Sequence, residues 1–182
     1  MKKSALIFFA VTAFVISSCN DKTKQTEPEV VTVDNTAQKV YEVAKTEAEF
    51  NDPKVEAIFE QYLQVEAGLV NTDPIKTAAE ASKLELLFKE QNVDAATQNA
   101  VASISGSEDI KIQRENFEAL SKGIETMLQG TLKSGMLYKQ FCPMAFNNKG
   151  AYWISSSREI LNPYYGDKML KCGRVDAEIR TQ

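Results

Sequence analysis

The chain has no histidine among its 182 residues. That absence removes a frequent general base and the commonest metal ligand together. A cysteine nucleophile has no imidazole to activate it, and the lack of histidine argues against an ordinary structural zinc site, which would have only two cysteines to draw on. Cysteine is itself scarce. Cys19, Cys142 and Cys172 are the whole complement, and no two stand in a C-x-x-C spacing, so thioredoxin-like exchange lacks its motif. No glycine-rich phosphate loop occurs. Basic excess is missing too: the formal net charge is −4, which argues against the concentrated positive face that nucleic acid requires. Beyond residue 19 no run is apolar enough to cross a bilayer. No enzymatic constellation is visible, and a non-enzymatic protein is expected.

What is present begins with a targeting signal. "MKK" is a short basic start, "SALIFFAVTAFVI" is an apolar run of signal-peptide length, and "SSC" closes it at Cys19. The arrangement reads as a lipoprotein signal over residues 1–18, with Cys19 the acylated residue. Stable anchoring by acyl chains takes more than one chain. The expected product is exported and lipid-anchored to a bacterial membrane, facing the periplasm or the cell surface. Residues 19–51 follow as an anchor and flexible tether, rich in Thr, Glu, Lys and Asp at their start. One domain, residues 52–182, remains.

The domain opens with helical signals. Asp52 before Pro53, and Asp73 before Pro74, pair a capping side chain with a proline at the first helical position. Val55, Ile58, Phe59, Tyr62, Leu63, Ala67 and Val70 recur at helical spacing. The second helix offers Ile75, Ala78, Ala79, Leu84, Leu87 and Phe88. "DAATQNAVASI" is a weaker third helix, ended by Gly106, and a fourth buries Ile110, Phe117, Leu120, Ile124, Met127 and Leu128. In that last helix Arg114 and Glu115 read most simply as a surface ion pair of little energetic consequence. Short connections favour antiparallel neighbours. The expected fold class is therefore all-α: an antiparallel bundle of about four helices with an irregular C-terminal cap from Leu137 onward.

The cap carries the chemistry. Cys142 and Met144 are two residues apart, so an extended backbone sets both on one face. Met169 and Cys172 are three apart, within one helical turn. Thiolates and thioethers are soft donors that select Cu(I) over hard cations, so these four sulfurs form a candidate metal set, and Trp153 could add a cation–π contact. A plain alternative stands beside it. Two cysteines in an exported domain commonly form a disulfide, and closing the loop of roughly 30 residues between Cys142 and Cys172 would contribute about 3.5 kcal/mol in the chain-entropy treatment. Composition alone favours the bridge. "NPYYG" reads as a turn with packed aromatics, although Trp153, Tyr164 and Tyr165 could instead form an exposed surface for a partner.

The tail also carries a resemblance. "YKQFCPMA", "GAYWISSS" and "ILNPYYGDKMLKCG", in that order, with "QRENFEALSKGI" before them, resemble the domain-of-unknown-function family 3347 over about residues 53–180. Cys142, Pro143, Met144, Trp153, Asn162, Pro163, Tyr164, Gly166, Met169, Leu170, Cys172 and Gly173 fall on the family pattern. The resemblance implies an exported or lipoprotein-like helical domain. Relatives fused to periplasmic adaptors of heavy-metal efflux pumps imply a link to copper or related metals, and efflux components as possible partners. Many relatives carry a histidine where this chain has Phe141 or Gln113, so a metal site here differs from one built with those histidines. Non-enzymatic capture or delivery of a soft metal such as Cu(I) is the leading expectation, and a disulfide-stabilised interaction lipoprotein the alternative.

Overall fold

The computed structural model describes residues 39–181. The segment 1–18 expected to be a lipoprotein signal, and Cys19, expected to be acylated, lie outside the described residues.

Four helices form the first half: α1 (Pro53–Val70), α2 (Pro74–Phe88), α3 (Ala95–Ser105) and α4 (Ile110–Met127). Each starts on an aspartate in extended backbone whose carboxylate accepts from helical N–H groups: Asp52 from Lys54, Asp73 from Lys76, Asp94 from Ala96 and Thr97, Asp109 from Lys111. Such caps satisfy N–H groups that have no partner inside the helix. The α1 stripe is buried as its spacing predicts.

In α2 the buried line differs from the expected one. Thr77, Ala81, Leu84 and Phe88 face inward, whereas Ile75 is 67% exposed. The reason is a close crossing of α1 and α2. A Cβ on Gly68 would lie 2.5 Å from Thr77 Oγ1, so glycine lets the threonine face press against α1. Gly123 of α4 does the same for Thr97 of α3, at 2.0 Å. Both threonine hydroxyls are satisfied locally, by Asp73 O and the Asp94 carboxylate, so their burial leaves no orphaned donor.

The second half overturns the all-α expectation. The chain is mixed α/β. Residues expected to form an irregular cap build a three-stranded antiparallel sheet, β3 (Met136–Cys142) flanked by β4 (Ala151–Ser155) and β5 (Arg174–Arg180), in the order β4-β3-β5. A second, two-stranded sheet pairs β1 (Glu49–Phe50) with β2 (Leu132–Ser134). One short turn, α5 (Ala145–Asn148), links β3 to β4, with Phe146 and Asn147 in the left-handed region. The strands escape a period-two reading because β3 is bulged. Its pairing with β5 shifts between Lys139 and Gln140, so its buried residues are Leu137, Gln140 and Cys142 rather than an even alternation.

Residues 41–50, at the end of the stretch assigned to the tether, are tied to the domain. Tyr41 exchanges two hydrogen bonds of 2.8 Å with the Asn71 side chain, Ser156 donates to Ala44 O, and Ala48 and Phe50 are buried.

Sheet and helices share one core. The Phe117 ring stacks on Tyr62 at 5.2 Å and meets Tyr164 edge-on at 6.0 Å. Tyr164 in turn meets Phe146 and Trp153 edge-on, at 5.4 and 6.0 Å. Such edge-to-face pairs add about 0.5–1.5 kcal/mol each beyond area burial.

Candidate functional site: a pair of thiols beneath the sheet

Cys142 ends β3, where it pairs with Ala151 of β4, and its side chain is fully buried. Cys172 follows the short 3₁₀ turn Gly166–Lys168 and is half-buried. Their sulfurs stand 3.4 Å apart, both as free thiols. Thirty positions of sequence separate two groups that touch in space.

The loop that delivers Cys172 is organised around Asn162. This side chain is fully buried and uses both ends of its amide. Its oxygen accepts from the N–H groups of Tyr164 at 2.8 Å and Tyr165 at 3.2 Å, and its nitrogen donates to Cys172 O at 2.6 Å. The Asn162 backbone N–H also donates to Leu170 O at 2.9 Å. One residue thus fixes the start of the loop and its end. Gly173 completes the approach: its φ is +151°, and a Cβ there would meet Phe141 O and the Trp153 edge at 3.1 Å.

A second tie comes from α4. Arg114 does not pair with Glu115 at the surface, as its sequence position suggested. Its guanidinium donates to Pro163 O at 2.8 Å, and to Leu69 O and Thr72 Oγ1 at 3.0 Å each. Burial lowers its pKa from the usual arginine value. Glu115 instead lies 3.9 Å from Lys111.

The methionines are placed differently from the cysteines. Met144 stands at the turn after β3 and is 43% exposed. Its carbonyl accepts from the Tyr165 hydroxyl at 2.7 Å, which sets this turn against the Cys172 loop. Met169 is half-buried, and its carbonyl accepts from the Cys172 N–H at 2.9 Å. No group of three or more His, Cys, Asp or Glu residues gathers as a metal cluster among the described residues.

Burial pushes the Cys172 thiol up, and the adjacent Cys142 thiol raises it further. A metal that takes Cys172 as a thiolate must therefore displace a proton that the burial of this thiol helps to retain.

The expected aromatic surface is largely interior. Trp153 is fully buried and Tyr164 nearly so, with its hydroxyl donating to Tyr152 O at 2.6 Å. Only Tyr165 is partly open. Trp153 and Tyr164 therefore belong to the aromatic core, with the Trp153 edge beside Gly173. Gln113 is fully buried between helix ends. Its amide nitrogen donates to Pro74 O at 2.8 Å and Ser107 O at 2.6 Å.

Residues 58–134 match the family described as Protein of unknown function (DUF3347). The match covers 77 of the 182 residues. No curated protein and no solved structure matches the chain. The DUF3347 match begins within α1 and ends with β2, so Cys142, Met144, Met169 and Cys172 all lie C-terminal to it. The residues that anchor the thiol loop to the helices, Arg114 and Phe117, lie inside it.

Proposed function

We propose that this protein is an exported, lipid-anchored, non-enzymatic binder of a soft metal ion such as Cu(I). In the reduced state Cys142 and Cys172 supply the two principal donors, with the thioethers of Met144 and Met169 on the adjoining turns. The single observation that carries this reading is the 3.4 Å contact between two free thiols, in a chain that offers no histidine. Soft sulfur donors select Cu(I) over hard cations. Cys142 is held in a paired strand, while Cys172 is half-open at the surface, so an ion can enter from the Cys172 side. In this reading Cys19 attaches the protein to the membrane, and metal-efflux components are the partners to which the ion is passed.

The test is a titration of the reduced full chain, in detergent, with Cu(I) against a competing chelator. One ion per chain is expected, and Cys142→Ser together with Cys172→Ser abolishes the uptake. Failure of the wild type to compete, or undiminished uptake in the double variant, ends the proposal.

The same contact favours a second reading, a structural or interaction lipoprotein with a Cys142–Cys172 disulfide. Closing the bridge requires the sulfurs to approach from 3.4 Å to about 2.04 Å, with two protons and two electrons passing to a thiol oxidant of the exported compartment. Intact mass with and without alkylation of the isolated, unreduced protein separates the states. Two masked cysteines support the bridge, and two reactive ones support the metal site.

A further inference from the structure

The two thiols are not equivalent. Cys142 has no exposed surface and sits in β3, paired with Ala151 of β4. Cys172 is half-buried on a loop, beside the exposed Lys171. A reagent in solution therefore meets the Cys172 sulfur first. A bridge that only braces the fold needs neither sulfur accessible, and here one is.

The second sulfur stands where it can finish a reaction begun at the first. Cys142 Sγ lies 3.4 Å from Cys172 Sγ, and a bridge needs about 2.04 Å. The Cys172 backbone is anchored on both sides. Its N–H donates to Met169 O at 2.9 Å, and its carbonyl accepts from Asn162 at 2.6 Å. The next residue, Gly173, is pressed so closely on Phe141 O and Trp153 that a Cβ would stand 3.1 Å from each. A small group attached to Cys172 thus leaves its sulfur within reach of Cys142. We propose that the pair is oxidised in a fixed order by a low-molecular-weight disulfide, with Cys172 the entry thiol and Cys142 the resolving thiol. The step rests on the bridge reading of the pair. Cys172, as thiolate, attacks one sulfur of RS–SR. The Cys172–SR bond forms, the RS–SR bond breaks, and RS⁻ leaves and takes up the proton that Cys172 lost. Cys142 then attacks Cys172 Sγ from the buried side. The Cys142–Cys172 bond forms, and a second RS⁻ departs to solvent with the Cys142 proton. Two electrons pass from the protein to the reagent, which ends as two RSH. The reaction is stoichiometric.

The reduced full chain in detergent is treated with glutathione disulfide and acid-quenched over time. Mildly alkaline pH is used, because the thiolate is the nucleophile and burial helps Cys172 to keep its proton. Peptide masses locate each adduct and set apart any reaction at Cys19. In the wild type the first adduct caught should be on Cys172, and the Cys142–Cys172 bridge should replace it. Cys142→Ser should hold a stable glutathione adduct on Cys172. In Cys172→Ser, Cys142 should react at least about tenfold more slowly than Cys172 does in Cys142→Ser, since a buried group reacts only after local opening. A first adduct on Cys142 in the wild type overturns the order, as do equal rates in the two variants or no adduct in Cys142→Ser. A bridge that still forms in those cases leaves the disulfide reading standing. A Cys172 adduct that persists in the wild type without a bridge overturns the resolving role of Cys142 and the disulfide reading together. The wild-type time course needs no variant, so the order is tested even where a substitution prevents folding.

Discussion

Replacing Asn162 by alanine tests how the thiol pair is assembled. The substitution removes three hydrogen bonds: two accepted from the Tyr164 and Tyr165 N–H groups and one donated to Cys172 O. The Tyr164 N–H is buried and cannot recover water, so leaving it unpaired costs about 1–3 kcal/mol. The other two groups are part-buried and each loses about 0.5–1.5 kcal/mol net. The expected destabilisation is therefore about 2–6 kcal/mol. In a domain of this size each kcal/mol moves the melting temperature by about 2–4 °C, so a drop on the order of 4–24 °C follows. Urea unfolding measures the stability, and alkylation of the reduced protein measures the loop. Cys172 should react faster in the variant, because its carbonyl anchor is gone, while Cys142 in the paired strand should change much less. Asn162→Asp sharpens the point. It keeps an acceptor for the two N–H groups but sets an oxygen against the Cys172 carbonyl, so it should raise Cys172 reactivity too. A stability loss below about 1 kcal/mol with unchanged alkylation of Cys172 would refute the hub role of Asn162.

Further outcomes follow from other parts of the fold. Tyr62→Phe removes a hydroxyl that contacts Ser121 Oγ at 2.7 Å and accepts from the buried Ile154 N–H at 3.1 Å; thermal unfolding should show a loss of about 1–3 kcal/mol. Asp94→Ala removes the cap of α3 and the partner of the Thr97 hydroxyl; chemical denaturation should show about 1–2 kcal/mol. Glu66→Gln carries a pH signature. Because burial holds the folded carboxyl above its unfolded value, its contribution is complete below the unfolded pKa of about 4.3 and is lost as pH rises through the folded one. The variant should therefore gain stability relative to the wild type as pH increases above that point, read as the difference between their urea midpoints from pH 4 to 8. A constant or falling difference contradicts the burial argument.

The helices were legible because their signals are local. Asp–Pro starts and apolar spacing need no knowledge of the rest of the chain, and α1 and α4 follow them closely. The α2 register was not, since its buried line runs through Thr77, a polar residue whose burial depends on Gly68 of another helix. The sheet was hidden for a related reason. The bulge between Lys139 and Gln140 breaks the alternation of β3, and β5 is an edge strand whose sequence, "RVDAEIR", carries charge along its length, a common protection of sheet edges. The sulfur spacing raised the meeting of Cys142 and Cys172, but only the Asn162 loop fixes it. Glu66 escapes a reading that looks for apolar residues alone on the α1 stripe. Its position gives it away in retrospect, for it lies four residues after Tyr62 and four before Val70, on the buried stripe itself.

The tail is therefore not an appendage to a helical scaffold, and this bears on how the thiol pair can respond to oxidation or to metal. Cys142 is fixed by pairing with Ala151 of β4, next to the last β5-paired residue Phe141, and its side chain is buried. The sheet is locked to the helices through the Tyr62 hydroxyl at Ile154 and the Phe117–Tyr164–Trp153 rings. Moving Cys142 would disturb contacts that run to α1 and α4. Cys172 follows a single 3₁₀ turn and is half-open, and its carbonyl is held by one side chain. Interior packing resists displacement, whereas a loop with few buried contacts yields at low cost. Any change in the separation of the sulfurs must then be absorbed on the Cys172 side, within residues 166–172. The Arg114 contact to Pro163 O marks the inner limit of that movement. The fixed thiol sets where the site is, and the mobile-side thiol sets what separation it can accept, which is the division of labour that either a bridge or a bound soft ion requires.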